Sequence, residues 1–241
     1  MLEITDVAAG YDGKNVIADV NFTIDRGETF GLVGLNGAGK TTLIKTILGL
    51  KSQSGGTITV DGQKNGSDAA KKQIAYLPER FDPAWFLNAY EFIDFTLSLY
   101  KSKIGKEQVN QMADGMGLKT SFLCKRAQTY SKGMRQKLGL MTTLLTGCPL
   151  LVLDEPMSGL DPLARAQVKE LLAKAKTEGR TIFICSHIMS DLEELCARIA
   201  VMHEGRIVFI GKPAELLAQT GQSHLERAFL SLVTKVEARA A

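Results

Sequence analysis

Thr29 to Val33 is a compact apolar run of β type, broken by the glycines of Gly34 to Gly39, and from Lys40 apolar residues resume at helical spacing with Leu43, Ile47 and Leu50. This order predicts a buried strand, a glycine-rich turn and a helix over Lys40 to Leu50. A buried strand feeding a helix through a tight turn is a building unit of a parallel sheet covered by helices. The same alternation returns later. Leu150 to Leu153 and Thr181 to Cys185 are short strand-type runs separated by a helical pattern through Val168, Leu171 and Leu172. A parallel sheet with helices on both faces follows.

The turn carries chemistry as well as shape. Gly34 to Thr41 fits the phosphate-loop pattern of glycine, four residues, then Gly-Lys-Thr. Glycines let backbone N–H groups turn inward around phosphate oxygens, and the following helix presents its positive end to the same anion. Lys40 is expected to reach the β and γ phosphates and the Thr41 hydroxyl to ligate magnesium, with Asn36, Gly37, Ala38, Gly39 and Thr42 completing the cradle. A nucleoside triphosphate, ATP with Mg2+, is the expected ligand.

Leu150 to Leu153 delivers Asp154 and Glu155 to a strand's C-terminal end, where open parallel sheets place ligands. Asp154 is expected to hold magnesium and Glu155 to polarise an attacking water, a general-base role worth about 100- to 10,000-fold in rate. His187, after the strand Thr181 to Cys185, falls at the same edge and is expected to hydrogen-bond the γ-phosphate.

Around this core, Leu2 to Phe30 reads as short antiparallel strands with turns at Gly10, Gly13 and Gly27, and Thr57 to Val60 followed by Asp61 and Gly62 as a hairpin. Ile74 to Leu77 is a core strand stopped by Pro78. Residues 81–147 turn helical and aromatic near their start, so an inserted helical subdomain is expected there, with 1–80 and 148–210 as the core. A helix from Ser190 to about Arg198 and a strand pair around Val201 and Ile207 to Ile210 follow. In the tail, 211–241, Leu225, Phe229, Leu232 and Val236 recur at helical spacing.

Composition removes other classes. With 45% hydrophobic and 23% charged residues the chain is an ordinary globular one. A net charge of +3, spread evenly, is too small for a nucleic-acid footprint, so no nucleic-acid partner is expected. Cys124, Cys148, Cys185 and Cys196 lack the paired spacing of zinc or redox sites and are expected to be reduced. The opening Met1-Leu2-Glu3 has no leader character, which points to a cytoplasmic location. The longest apolar stretch, Leu138 to Leu153, is broken by Gly147 and Pro149 and falls short of a membrane span.

Tyr130-Ser131-Lys132-Gly133-Met134-Arg135-Gln136, shortly before Asp154, resembles the signature of the ATP-binding-cassette family, which usually reads Leu-Ser-Gly-Gly-Gln. With the phosphate loop, the chain resembles the nucleotide-binding subunit of a transporter over nearly its whole length, of the type-2 exporter class. The resemblance implies an α/β fold with a P-loop NTPase (RecA-like) parallel-sheet core, an antiparallel β subdomain and an inserted α-helical subdomain. It implies that Ser131 and Gly133 reach the γ-phosphate bound by an opposing subunit, that Tyr11 stacks on adenine, and that Ser158 to Asp161 link two active sites. Glu79 stands where the family commonly has Gln and is expected near magnesium or the attacking water, and Lys132 replaces a usual glycine. The implied partners are a second such subunit, a homodimer being permitted by the complete residue set, and an integral membrane permease. The chain would then sit peripherally on the cytoplasmic face of the membrane. Among Phe81, Trp85, Phe86, Tyr90, Phe92, Phe95 and Tyr100, most rings are expected in the helical core and one or two at a permease groove. A soluble assembly ATPase of the same fold, acting on a cytosolic scaffold, is the alternative.

Overall fold

The computed structural model describes residues 1–240, and side chains through Ala238. It opens on two long antiparallel strands, β1 (Leu2–Tyr11) and β2 (Lys14–Ile24), where short ones were expected. The difference lies in bulges. Asp6 and Asp19 adopt φ of 49 and 52, and the Asn21 side chain fills the broken ladder, accepting from Asp6 N at 2.8 Å and donating to Asp6 Oδ1 at 2.9 Å. The strand therefore bends without ending.

Next come β3 (Thr29–Val33), α1 (Lys40–Ile47), β4 (Gly55–Val60), β5 (Gln63–Lys64), α2 (Asp68–Lys71) and β6 (Ile74–Leu77). Helix α1 stops before the expected Leu50, because Gly49 turns left-handed at φ 68 and leaves Leu50 68% exposed. Four helices follow, α3 (Ala89–Leu99), α4 (Lys106–Gly115), α5 (Thr120–Leu123) and α6 (Lys132–Leu145), with a 3-10 turn at Ala127–Thr129. The chain then alternates through β7 (Leu150–Asp154), α7 (Pro162–Thr177), β8 (Thr181–Cys185), α8 (Met189–Leu195), β9 (Arg198–His203) and β10 (Arg206–Gly211), and closes with α9 (Pro213–Thr220) and α10 (Leu225–Ala240). The helix expected to reach Arg198 ends at Leu195. Arg198 opens β9 instead, held to Glu28 Oε1 at 2.7 Å and Thr23 O at 2.8 Å, partners far away in sequence.

One sheet has the order β2-β1-β4-β5; the other runs β10-β9-β3-β8-β7-β6. In the second, β9, β3, β8, β7 and β6 are parallel and β10 is an antiparallel edge. Successive residues of β7 face opposite layers. Leu150 and Val152 join the core between the sheets with Leu43, Ile44 and Ile47 of α1, while Leu151 and Leu153 join the core shared with α6, α7 and α10. Phe30, fully buried, stacks on Phe22 with centroids 5.2 Å apart, and its loss to alanine would cost about 3–5 kcal/mol.

The aromatic segment packs less deeply than expected. Phe81, Tyr90, Phe92 and Tyr100 are partly buried, while Trp85, Phe86 and Phe95 are exposed; the buried face of α3 is Ala89, Ile93 and Leu97. Among the described residues no helix is long and apolar enough to cross a membrane. All four cysteines are free, Cys124 exposed and the others buried.

Candidate phosphate site

Parallel pairing puts the C-terminal ends of β3, β8, β7 and β6 on one edge, with Cys185 opposite both Leu32 and Asp154. The chain leaves β3 into the glycine loop, β6 into Pro78 and Glu79, β7 at Asp154 and Glu155, and β8 into Ser186 and His187. These exits enclose a cleft of about 580 Å³. Its walls include Asn36, Gly37, Gly39, Lys40, Thr41, Thr42, Glu79, Asp154, Glu155 and His187. Ala38 lies behind the loop, buried, with its N–H on Leu35 O at 3.1 Å.

Two loop positions admit only glycine. A Cβ on Gly34 would stand 2.4 Å from Met202 O, and Gly39 has φ 107 with Ile17 Cγ2 at 2.6 Å from where its Cβ would be. Gly39 caps α1 with no side chain, so the first turn of α1 keeps its N–H groups for an anion. The Lys40 ammonium folds back onto its own loop, donating to Gly34 O at 2.7 Å and Leu35 O at 3.1 Å.

Asp154 is 5% exposed, and burial pushes its carboxyl from 3.8 up to about 6. The Cys185 thiol, by hydrogen bonding, and Lys40 oppose that rise, while Glu79 and Glu155 add to it. Burial, then the charge of Asp154, lifts the Tyr76 hydroxyl to about 12. A buried carboxylate in this state is short of positive charge. Among the described residues no cluster of three or more His, Cys, Asp or Glu could cage a metal. One buried carboxylate, the Thr41 hydroxyl and the nearby Glu79, supplemented by phosphate and water, is the sparse oxygen set that magnesium accepts.

Glu155 is held in an unusual posture. Its φ of 50 is left-handed, costing of order 1–3 kcal/mol for a residue with a side chain. Its N–H donates to Cys185 O at 2.8 Å, and buried Gln136 of α6 donates to Glu155 O at 3.2 Å and Pro156 O at 3.0 Å. The side chain is thereby aimed at His187. Oε1 accepts from His187 N at 2.8 Å and lies 2.7 Å from His187 Nδ1, leaving Oε2 with only Ser186 Oγ at 3.4 Å.

Three expected residues lie elsewhere. Ser131 caps α6, accepting from Met134 N at 3.2 Å, and neither it nor Gly133 lines the cleft. The first residues of α6 after Ser131 pack beside residues 158–161: a Cβ on Gly133 would lie 3.4 Å from Gly159 O, and the Lys132 stem passes over Gly159. Tyr11 ends β1, 49% exposed, with Lys51 Nζ 3.7 Å from its ring centroid, and is also outside the cleft.

The structure adds residues that sequence reasoning gave no role. Gln136 ties α6 to the turn bearing Glu155; its signal was a polar residue among the apolar positions of that helix. Val16 and Met189 line the cleft, as do Glu226, Phe229 and Leu230 of α10. The stripe of α10 was visible in the sequence; the surface it packs on was not.

The ABC transporter family model matches residues 17–158, more than half of the chain. An uncharacterized ABC transporter ATP-binding protein of Synechocystis is 43% identical over 203 residues, 82% of this chain and 57% of that protein. The linearmycin resistance ATP-binding protein of Bacillus subtilis is 32% identical over 225 residues, 92% of this chain and 72% of that protein. A solved structure of the ATP binding subunit of an ABC transporter superposes with a TM-score of 0.88 at 32% identity, covering 96% of this chain and 99% of that one. The chain thus spans less than two thirds of the length of the Synechocystis relative. On the family match and these likenesses, the chain belongs to the ABC transporter family as an ATP-binding domain.

Proposed function

We propose that the cleft binds ATP with magnesium and hydrolyses it, that two copies close around two nucleotides, and that closure and reopening drive a membrane permease. The observation that carries this reading is a division of parts. Lys40, Asp154, Glu155 and His187 converge on one cleft, whereas Ser131 and Gly133 are presented outside it.

Lys40 exchanges its two loop carbonyls for β and γ phosphate oxygens, a swap needing only side-chain rotation. Thr41 and Asp154, with Glu79 nearby, would hold magnesium, which neutralises charge spread over the phosphate oxygens. A water attacks the γ-phosphorus; the new P–O bond forms as the bond to the bridging oxygen breaks and ADP leaves. The water's proton passes to Glu155, whose Oε2 has the freer lone pairs because Oε1 is engaged by His187. With Nδ1–H donated to Glu155, His187 donates to phosphate from Nε2 only as the imidazolium. The Ser131 Oγ accepts from Met134 N, so its O–H proton is free for the γ-phosphate of a second copy.

Phe95 of α3 is exposed, and Trp85 and Phe86, whose rings meet edge to face with centroids 5.5 Å apart, form an exposed apolar surface on the helical segment suited to a permease element. Its backbone leads to the signature. Gln128 N donates to Trp85 O at 3.1 Å and Ala127 N to Leu87 O at 2.8 Å, a few residues before Ser131. Force on the aromatic surface would reach the signature helix through these bonds. The name of the linearmycin resistance relative supports an exporter rather than an importer. Replacing Lys40 with alanine is expected to lower ATP turnover by about a thousandfold, through loss of the charge on the γ-phosphate. Undiminished hydrolysis by purified Lys40→Ala protein would overturn the assignment of the cleft.

A further inference from the structure

One carboxylate in the cleft has no part in the reaction just described. Helix α10 buries Leu225, Ala228, Phe229, Leu232 and Val233 against the core that includes Leu192 of α8 and Leu216 of α9. That stripe fixes the helix's rotation. Residues 226 and 230 are one turn apart and share an edge, and both line the phosphate cleft beside the glycine loop. The first turn of α10 also borders an adjoining cleft of about 380 Å³ with His187, Met189 and His224. Glu226 is exposed and has no salt-bridge partner within 4.0 Å among the described residues.

Charges in the cleft are unbalanced. Among the described residues of the lining, Glu79, Asp154, Glu155 and Glu226 face Lys40, the one permanent cation there, and His187. Glu79, Asp154 and Glu155 have roles at magnesium or the attacking water. Glu226 comes from a different element and is anchored by a packed stripe, so it acts as a fixed negative charge at the cleft wall.

We propose that Glu226 is a specificity-determining residue that makes the cleft discriminate against metal-free nucleoside triphosphate in favour of the magnesium complex. The proposal rests on the nucleotide reading of the cleft. Metal-free ATP carries about four negative charges and its magnesium complex about two, so Coulomb repulsion from one fixed carboxylate is about twice as large for the metal-free form. Because Glu226 is exposed and screened, the effect is modest and fades with salt.

The test measures binding of ATP to the full chain, with excess magnesium and with excess chelator, for the wild type, Glu226→Gln and Glu226→Asp. Glu226→Gln is expected to tighten metal-free ATP about two- to fivefold and the magnesium complex by no more than about the square root of that factor, with the difference shrinking at high salt. Glu226→Asp should keep most of the wild-type discrimination. Equal tightening of both forms, no change, or loosening of either overturns the proposal. Lys40→Ala, measured alongside, separates the two failures: if it weakens neither form of ATP, the nucleotide reading of the cleft falls, whereas if it weakens both while Glu226→Gln leaves discrimination intact, only the role of Glu226 falls.

Discussion

Helices α1 and α6 both begin next to functional sequence, yet their N-termini are built differently. Gly39 opens α1 in a left-handed conformation with no side-chain cap, inside the cleft and beneath Lys40. Ser131 opens α6 with an oxygen on Met134 N, at an exposed position, and the Gly133 that follows it packs beside Gly159. An uncapped end leaves its donors for a ligand; a capped, exposed end is stable alone and still has a hydroxyl proton to offer. On the proposed two-copy reading the contrast separates a receiving half-site from a presenting one on the same chain, and each of the following substitutions breaks or sharpens it.

The largest effect is expected at the receiving half. Glu155→Gln keeps the volume and the left-handed turn but loses the base, so turnover falls about 100- to 10,000-fold while ATP is retained and dimers accumulate. A variant that stays monomeric by light scattering at saturating ATP would count against two copies sharing nucleotide. At the presenting half, Ser131→Ala should lower turnover about 100- to 1,000-fold with little change in ATP affinity of the isolated monomer. Equal loss of monomer affinity would place Ser131 in its own chain's site and erase the contrast.

Asp154 gives the smallest and most diagnostic signal. Its native value of about 6 lies above the ordinary 3.8, so between those values the native state binds more protons than the unfolded one. Stability of the metal-free protein therefore falls as pH rises from about 4 to about 6, by up to about 3 kcal/mol from this group. Asp154→Asn removes the charge that burial penalises. By chemical denaturation without magnesium, the variant should gain more over wild type at pH 7 than at pH 4.5. A difference between the two proteins that is the same at both pH values would mean that the carboxylate is better solvated than its 5% exposure implies.

What the sequence disclosed follows the range of the forces involved. The strand–glycine–helix unit from Thr29 to Ile47 is specified locally, by β-type residues, obligatory glycines and helical spacing, and its strand bounds were read as they stand. The parallel sheet was legible because Leu150 to Leu153 and Thr181 to Cys185 are continuous apolar runs, the mark of strands covered on both faces. What pairs across the chain was not legible. Arg198 is drawn into β9 by Glu28, Tyr11 faces Lys51, and Gln136 finds carbonyls at Glu155 and Pro156; in none of these contacts does the local sequence name the partner. The stripe of α10 announced a helix, but the placement of Glu226 at the cleft depends on which edge the core leaves free.

The central claim is that one chain's cleft is completed by another chain's signature, and mixing two inactive variants tests it directly. Lys40→Ala lacks a working cleft and keeps Ser131, while Ser131→Arg keeps the cleft and blocks the presenting helix. In a mixed dimer, the intact cleft of one copy faces the intact Ser131 of the other. Turnover of the mixture should rise well above that of either variant alone. If the mixture remains as inactive as its components although the two proteins associate, both residues serve the same chain's site, and the two-chain account is wrong.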